Sequence, residues 1–366
     1  HGFNVAVGAF ALLNQNAGDN AYNVAVGSNA GENITTGVKN TIVGSLAGDA
    51  ITTGEFNVAL GYQALSAATD TDQSTAIGYG ALANLNLSGD SNNVAIGTNA
   101  GNQATTATQS VFVGGFAGDA VTTGIRNVAI GFRALSAETG ASQITAIGHD
   151  ALKTYNKGSG DGNVVAIGYH SAQLMSTGTN SVIIGALAGN ALTTGSGNTV
   201  LGYNALGVED TGSKNVAVGS NALGNLNFDG DAYNVAVGYD AGRQITTGVE
   251  NIIIGGLAGD ALTTGSYNVA VGHKALSAED EHGTNTAIGR GALQTLNAGT
   301  NGYNTAVGYF SGVSMTTGTQ NTVIGGLAGD ALTTGGNNVA VGYKALSSED
   351  TGSHNVAIGH EALKTA

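Results

Sequence analysis

One glycine recurs along this chain at nearly constant spacing, and that spacing constrains the fold more than any other feature. It closes a five-residue unit, most often Asn-Val-Ala-Val-Gly, and stands at positions 8, 27, 44, 61, 78, 97, 114, 131, 148, 168, 185, 202, 219, 238, 255, 272, 289, 308, 325, 342 and 359. Most steps are 17 residues, and every fourth is 19 or 20. Four units therefore span 70 or 71 residues, as in the series 27, 97, 168, 238 and 308. A unit this short cannot bury its own apolar side, so stacked neighbours must do it.

Each position of the unit has a physical reading. Four residues before the glycine stands Asn in 16 of the 21 units, as at Asn23, Asn57, Asn251 and Asn338. Amides stacked coil upon coil form hydrogen-bonded ladders. The residue one before the glycine is always Val, Ile or Leu, and the residue three before is usually Val or Thr. These two alternate with the residue between them, which is the period of a strand with one buried face. They are the expected interior. The glycine suits a sharp corner. Ala follows three residues later except at Ser171 and Ser311, and seven residues later the chain often has Ile, Leu or Met, including Met175 and Met315. Thr-Thr-Gly closes many units, as at Thr52-Thr53-Gly54 and Thr263-Thr264-Gly265, and reads as a turn.

The expected fold is all-β: a parallel β-solenoid, or β-roll, of about 21 coils of 17–20 residues, forming one continuous repeat domain over residues 1–366. At ~4.8 Å per coil it would be a rod on the order of 100 Å long. β-branched residues at period two, with Gly or Asn every few residues, oppose a helical repeat. The chain opens on His1-Gly2-Phe3 and stops at Lys364-Thr365-Ala366, both inside the repeat, so it reads as a segment of a longer fibre. Composition agrees with a repeat built from small side chains: 61 Gly, no Pro, no Cys, no Trp and 10% charged residues. The absence of Pro and of a three-residue period excludes collagen, and 42% hydrophobic residues excludes a disordered chain. A net charge of −14 argues against nucleic acid and anionic membrane as partners. No apolar run is long enough for membrane insertion.

The unit resembles the head repeats of YadA-like trimeric autotransporter adhesins, whose pattern is roughly Ser-Val-Ala-Ile-Gly. Asn93-Val94-Ala95-Ile96-Gly97 and Asn355-Val356-Ala357-Ile358-Gly359 carry that likeness. It is similar also to the Asn-Thr-Ala-Ile-Gly-Tyr-x-Ala-Leu repeats of phage tail-fibre shafts, through Asn285-Thr286-Ala287-Ile288-Gly289 and Gly342-Tyr343-Lys344-Ala345-Leu346. The resemblance covers the whole chain and implies a homotrimer of parallel chains, extracellular, on a cell surface or a virion. The departure is coil length, since the adhesin heads use a shorter repeat than the 17 residues found here.

One coil in four departs from the others. There the residues two before and two after the glycine are both large and apolar: Ile42/Leu46, Phe112/Phe116, Ile183/Leu187, Ile253/Leu257 and Val323/Leu327. With the interior taken by the alternate residues, these pairs point outward. They form an apolar band every ~19 Å that contacts another subunit or fibre. The competing reading turns the coil at its glycine and places both side chains in a local core. A second stripe follows the longer steps. Segments such as 86–90, 156–161 and 227–231 carry extra residues, and their Asp90, Asp161, Asp229 and Asp231 are candidates for contacts to a protein or glycan receptor. Aromatics also recur just after the glycine, at Tyr62, Tyr79, Phe132, Tyr169, Tyr203, Tyr239, Tyr309 and Tyr343. They either stack on sugars or cover the neighbouring coil.

The sequence shows no catalytic machinery. No nucleophile–His–acid arrangement is legible, and His149, His273 and His360 share one repeat slot. No Gly-Lys-Ser/Thr follows the Gly-rich turns, so they are not phosphate loops. The acidic clusters Glu279-Asp280-Glu281 and Glu349-Asp350 offer oxygen ligands to Ca²⁺. They lack the spacing of calcium-binding rolls, so solvated turns are expected and no cofactor. The Thr-Thr pairs raise an ice-binding reading, but they occur in only some coils and beside a Gly turn, which breaks a flat array. The expected function is a structural or adhesive rod of a phage tail fibre or bacterial surface adhesin. The alternative is a self-assembling cell-surface or matrix filament, packed laterally through the apolar bands.

Overall fold

In the computed structural model the chain is a parallel β-solenoid with no helix among the described residues, which are 2–348 and 350–364. Glu349, of one acidic cluster, lies outside them. The chain divides into two compact units, residues 1–180 and 181–366. The first contributes ten coils and the second eleven. Each coil gives one short strand, commonly of three residues, such as Val24–Val26, Val128–Ile130 and Val269–Val271. Within each unit the strands pair parallel and in register, equivalent repeat position on equivalent position: Ala25 opposite Ile42 and Ala270 opposite Ala287.

The glycine is required by stacking as well as by conformation. Its φ is between 127° and 147° throughout. A Cβ on Gly131 would sit 2.4 Å from the carbonyl oxygen of Gly148, and one on Gly272 would sit 2.5 Å from that of Gly289. Successive coils touch backbone to backbone at this column, so any side chain there would push them apart.

The expected strand register is reversed. The middle residue, two before the glycine, is buried in the coil interior in every strand but the first. The flanking Val, Ile and Thr residues face outward and are never fully buried. Ile42, Phe112, Ile183, Ile253 and Val323 are therefore core residues at 0% exposure and form no outward band.

Interior volume explains where these large residues fall. Ten of the coils pair Ala in the middle of the strand with Leu four residues after the glycine; Ala129 and Leu135 are both fully buried. In the five exceptional coils that later residue is Gly48, Gly118, Gly189, Gly259 or Gly329. A Cβ on Gly118 would lie 2.3 Å from Phe112 Cδ1, and one on Gly48 2.8 Å from Ile42 Cδ1. The large strand residue thus fills the space beside its coil's glycine, where a side chain would collide with it. The residues seven after the glycine complete the interior, with Ile34, Leu85, Met175 and Met315 fully buried.

The asparagine ladder forms, with a different bonding pattern from simple amide stacking. The backbone N–H of Asn40 donates to Asn23 Oδ1 at 2.8 Å, and that of Asn57 to Asn40 Oδ1 at 2.9 Å. Asn23 Nδ2 meanwhile donates to Gly37 O at 2.9 Å. Asn23 and Asn40 thus each satisfy buried backbone at two points, which a buried backbone demands. Where Ser replaces Asn its hydroxyl does the accepting, as Ser110 Oγ does from Asn127 N–H at 3.1 Å.

Candidate interaction surface

The reversed register creates an extended apolar surface on each unit. Two columns of β-branched and aliphatic side chains line the outer face of each sheet. Ile252 and Ile254 are 43% and 38% exposed, and Leu201 is 47% exposed. On one side this face is flanked by the aromatic column after the glycine, with Tyr62, Tyr79, Tyr169, Tyr203, Tyr239 and Tyr309 all about half exposed. Tyr62 and Tyr79 stack with centroids 5.8 Å apart.

A second aromatic column flanks the other side and was not foreseen. It holds the residue just before the ladder position: Phe3, Tyr22, Phe56, Tyr233, Tyr267 and Tyr303, all exposed. The residue in this slot adopts a left-handed φ, 56° at Tyr22 and 63° at Tyr267. An open depression of about 500 Å³ lies between this column and the sheet, lined by Tyr233, Val235, Glu250 and Ile252. The signal was present in the sequence as aromatics recurring one residue before the ladder position.

Leu46, Phe116, Leu187, Leu257 and Leu327, the other halves of the apolar pairs, remain partly exposed. They sit at a left-handed corner, with φ from 55° to 58°. The pairs thus split, one member entering the core and the other lying at the surface. Phe116 makes an edge contact with Phe132 at 6.0 Å between centroids.

The loop aspartates Asp90, Asp161, Asp229 and Asp231 are all exposed, and several are tied to the preceding coil. Asp231 pairs with Lys214 at 2.6 Å, Asp229 accepts from Thr211 Oγ1 at 2.6 Å, and Asp90 accepts from Gln73 Nε2. The Lys214 pairing holds the Asp231 carboxyl below the usual carboxylate range.

These longer loops rest on buried carboxylates that sequence reasoning placed in solvated turns or passed over. Glu138, Glu209 and Glu279 are each 0% exposed and lie one coil before a loop. Glu138 accepts from Gly140 and Ala141 N–H, both at 2.7 Å, and from Lys157 N–H at 2.9 Å. Glu209 accepts from Gly212 N–H at 2.7 Å and Phe228 N–H at 3.1 Å. Glu279 accepts from His282 and Ala298 N–H, both at 3.3 Å. The carboxylate thus takes up backbone donors that the longer loop leaves unpaired. Burial pushes the Glu209 and Glu279 carboxyls up, against the opposing pull of those N–H groups. Where Ala68 replaces Glu, Thr71 Oγ1 accepts from Leu87 N–H at 3.2 Å instead.

The threonine pairs spend many of their hydroxyls on coil-to-coil bonds. Thr52 Oγ1 donates to Thr69 O at 3.2 Å, and Thr263 Oγ1 to Asp280 O at 2.8 Å. Those hydroxyls join coils rather than order a water lattice.

A comparison with known protein families and with curated proteins finds no match for this chain.

Proposed function

We propose that this chain is a structural, adhesive rod segment of an extracellular fibre, a phage tail fibre or a bacterial surface adhesin on a virion or cell surface. The observation that carries the reading is the outer sheet face: in-register Val, Ile and Leu side chains, roughly a third to a half exposed in many coils and flanked by two aromatic columns. A contiguous apolar surface of this kind marks an interface. The occupant in this reading is a second and third copy of the chain, in the homotrimer that the resemblance implies. The loops bearing Asp90, Asp161 and Asp231 stay at the surface for a protein or glycan receptor, with the exposed tyrosines available to stack on sugar rings. The reading needs no catalysis, no cofactor, no nucleic acid and no membrane insertion.

A second reading, lateral association into an open-ended filament, draws support from the partly exposed corner residues Leu46, Phe116, Leu187, Leu257 and Leu327. Replacing Ile252 and Ile254 with Lys separates the two. Loss of assembly with unchanged circular dichroism supports the sheet face as the interface. An unchanged mass would overturn it. Loss of assembly on Phe116→Ser instead favours the filament.

A further inference from the structure

One group of side chains does not follow the repeat. Asp150 stands two residues after its coil glycine and is 5% exposed, yet its Oδ1 accepts no hydrogen bond. Asp240 holds the same position in another coil, also buried, and accepts from Asn221 Nδ2 at 2.9 Å. Around Asp150 the preceding coil supplies no amide. Instead His149 Nδ1 lies 3.6 Å and His170 Nε2 3.7 Å from Asp150 Oδ2. The three ligand atoms all lie within 4.8 Å of one another. Arg133 Nε is 3.6 Å from Oδ1, and Lys153 Nζ is 3.6 Å from Oδ2.

We propose that His149, Asp150 and His170 form a binding site for a transition-metal dication, with Zn²⁺ as the probe. Two imidazoles and one carboxylate suit a borderline metal of this class. Metal bonds of about 2.0–2.2 Å in tetrahedral geometry put ligand atoms ~3.4 Å apart, so the observed spacing needs only a small contraction. The rings are already held in an aromatic row. Phe132 and His149 have centroids 5.3 Å apart, and Tyr169 stacks on His170 at 3.8 Å. Arg133 faces the carboxylate oxygen that the metal does not need and orients the other toward it. His149 is half exposed, which leaves a further coordination position open to solvent.

Lys153 is the competitor. Its ammonium stands beside Oδ2, but its side chain is 31% exposed and can swing into water as the ion enters. The other compact His–carboxylate group, Glu279, Asp280 and His282, differs in kind, because both Glu279 oxygens already accept backbone N–H groups.

The test is calorimetric titration of the untagged full chain with Zn²⁺, with Co²⁺ absorption as a report of coordination geometry. The expected result is one ion per chain, lost in His170→Ala and in Asp150→Asn, and bound more tightly in Lys153→Gln. Circular dichroism identifies any variant that fails to fold, in which case His149→Gln takes its place. Absence of a saturable site overturns the proposal. So does binding that survives both ligand substitutions, or that weakens in Lys153→Gln.

Discussion

Replacing Asp49, Asp119, Asp260 and Asp330 with asparagine will stabilise the protein at neutral pH. All four stand five residues after their coil glycine, in the coils with a large strand residue. The fifth such coil carries Asn190 in that place. With its amide nitrogen facing the acceptors, Asn190 donates to Gly207 O at 2.8 Å and Leu187 O at 3.2 Å. A carboxylate cannot donate, and each of the four aspartates keeps Oδ1 buried without a partner. Burial pushes all four carboxyls above the usual aspartate value. The folded state therefore holds the proton more tightly than the unfolded chain. This source of stability is full below about pH 4 and is lost as pH rises through the raised folded value. An orphaned buried acceptor costs ~1–3 kcal/mol, and the lower end applies because these side chains are partly exposed. Asparagine removes the charge and adds donors, so each exchange should contribute about 1 kcal/mol at pH 7 and little at pH 3. Guanidinium unfolding at both pH values, on single variants and the fourfold variant, measures this. Asn190→Asp is the converse and should lose stability mainly above pH 4. No gain at pH 7 in the aspartate variants, or a silent Asn190→Asp, would refute the reasoning.

Other outcomes follow from the interior. Phe112→Ala should cost about 3–5 kcal/mol through the cavity it leaves, and adding Gly118→Leu, which rebuilds the Ala129/Leu135 pairing of the next coil, should recover part of that in a double-mutant cycle. Tyr155 is fully buried with no partner for its hydroxyl, and burial pushes that hydroxyl's pKa above its usual range. Tyr155→Phe should therefore raise stability by about 1 kcal/mol in denaturant unfolding. Glu209→Ala removes the acceptor for Gly212 and Phe228 N–H, and should speed amide hydrogen exchange at those residues well before global unfolding.

The coil count, the parallel stacking and the asparagine ladder were legible because spacing and residue type report them directly. The register was not. Period-two alternation defines two faces without saying which is inside, and Val flanking Ala makes the Val pair look like the core. The thin coil decides otherwise, because Leu135 and its equivalents already fill the space beside Ala129. A signal for this lay in the sequence: wherever the middle residue is Ile or Phe, as at Phe112 or Ile183, the residue six further on is glycine, as at Gly118 or Gly189. Two positions that exchange volume share one cavity. The role of Glu138, Glu209 and Glu279 was hidden for another reason. A glutamate in a Gly-rich turn looks solvated until the unpaired N–H groups of the loop above it are located.

The central claim, a rod segment that joins copies of itself through the outer sheet face, meets its most direct test in the mass of the purified chain in solution. Light scattering coupled to size exclusion should give three times the 35.9 kDa of one chain, unchanged on dilution. A stable monomer of 35.9 kDa with its Val and Ile columns open to water would contradict it.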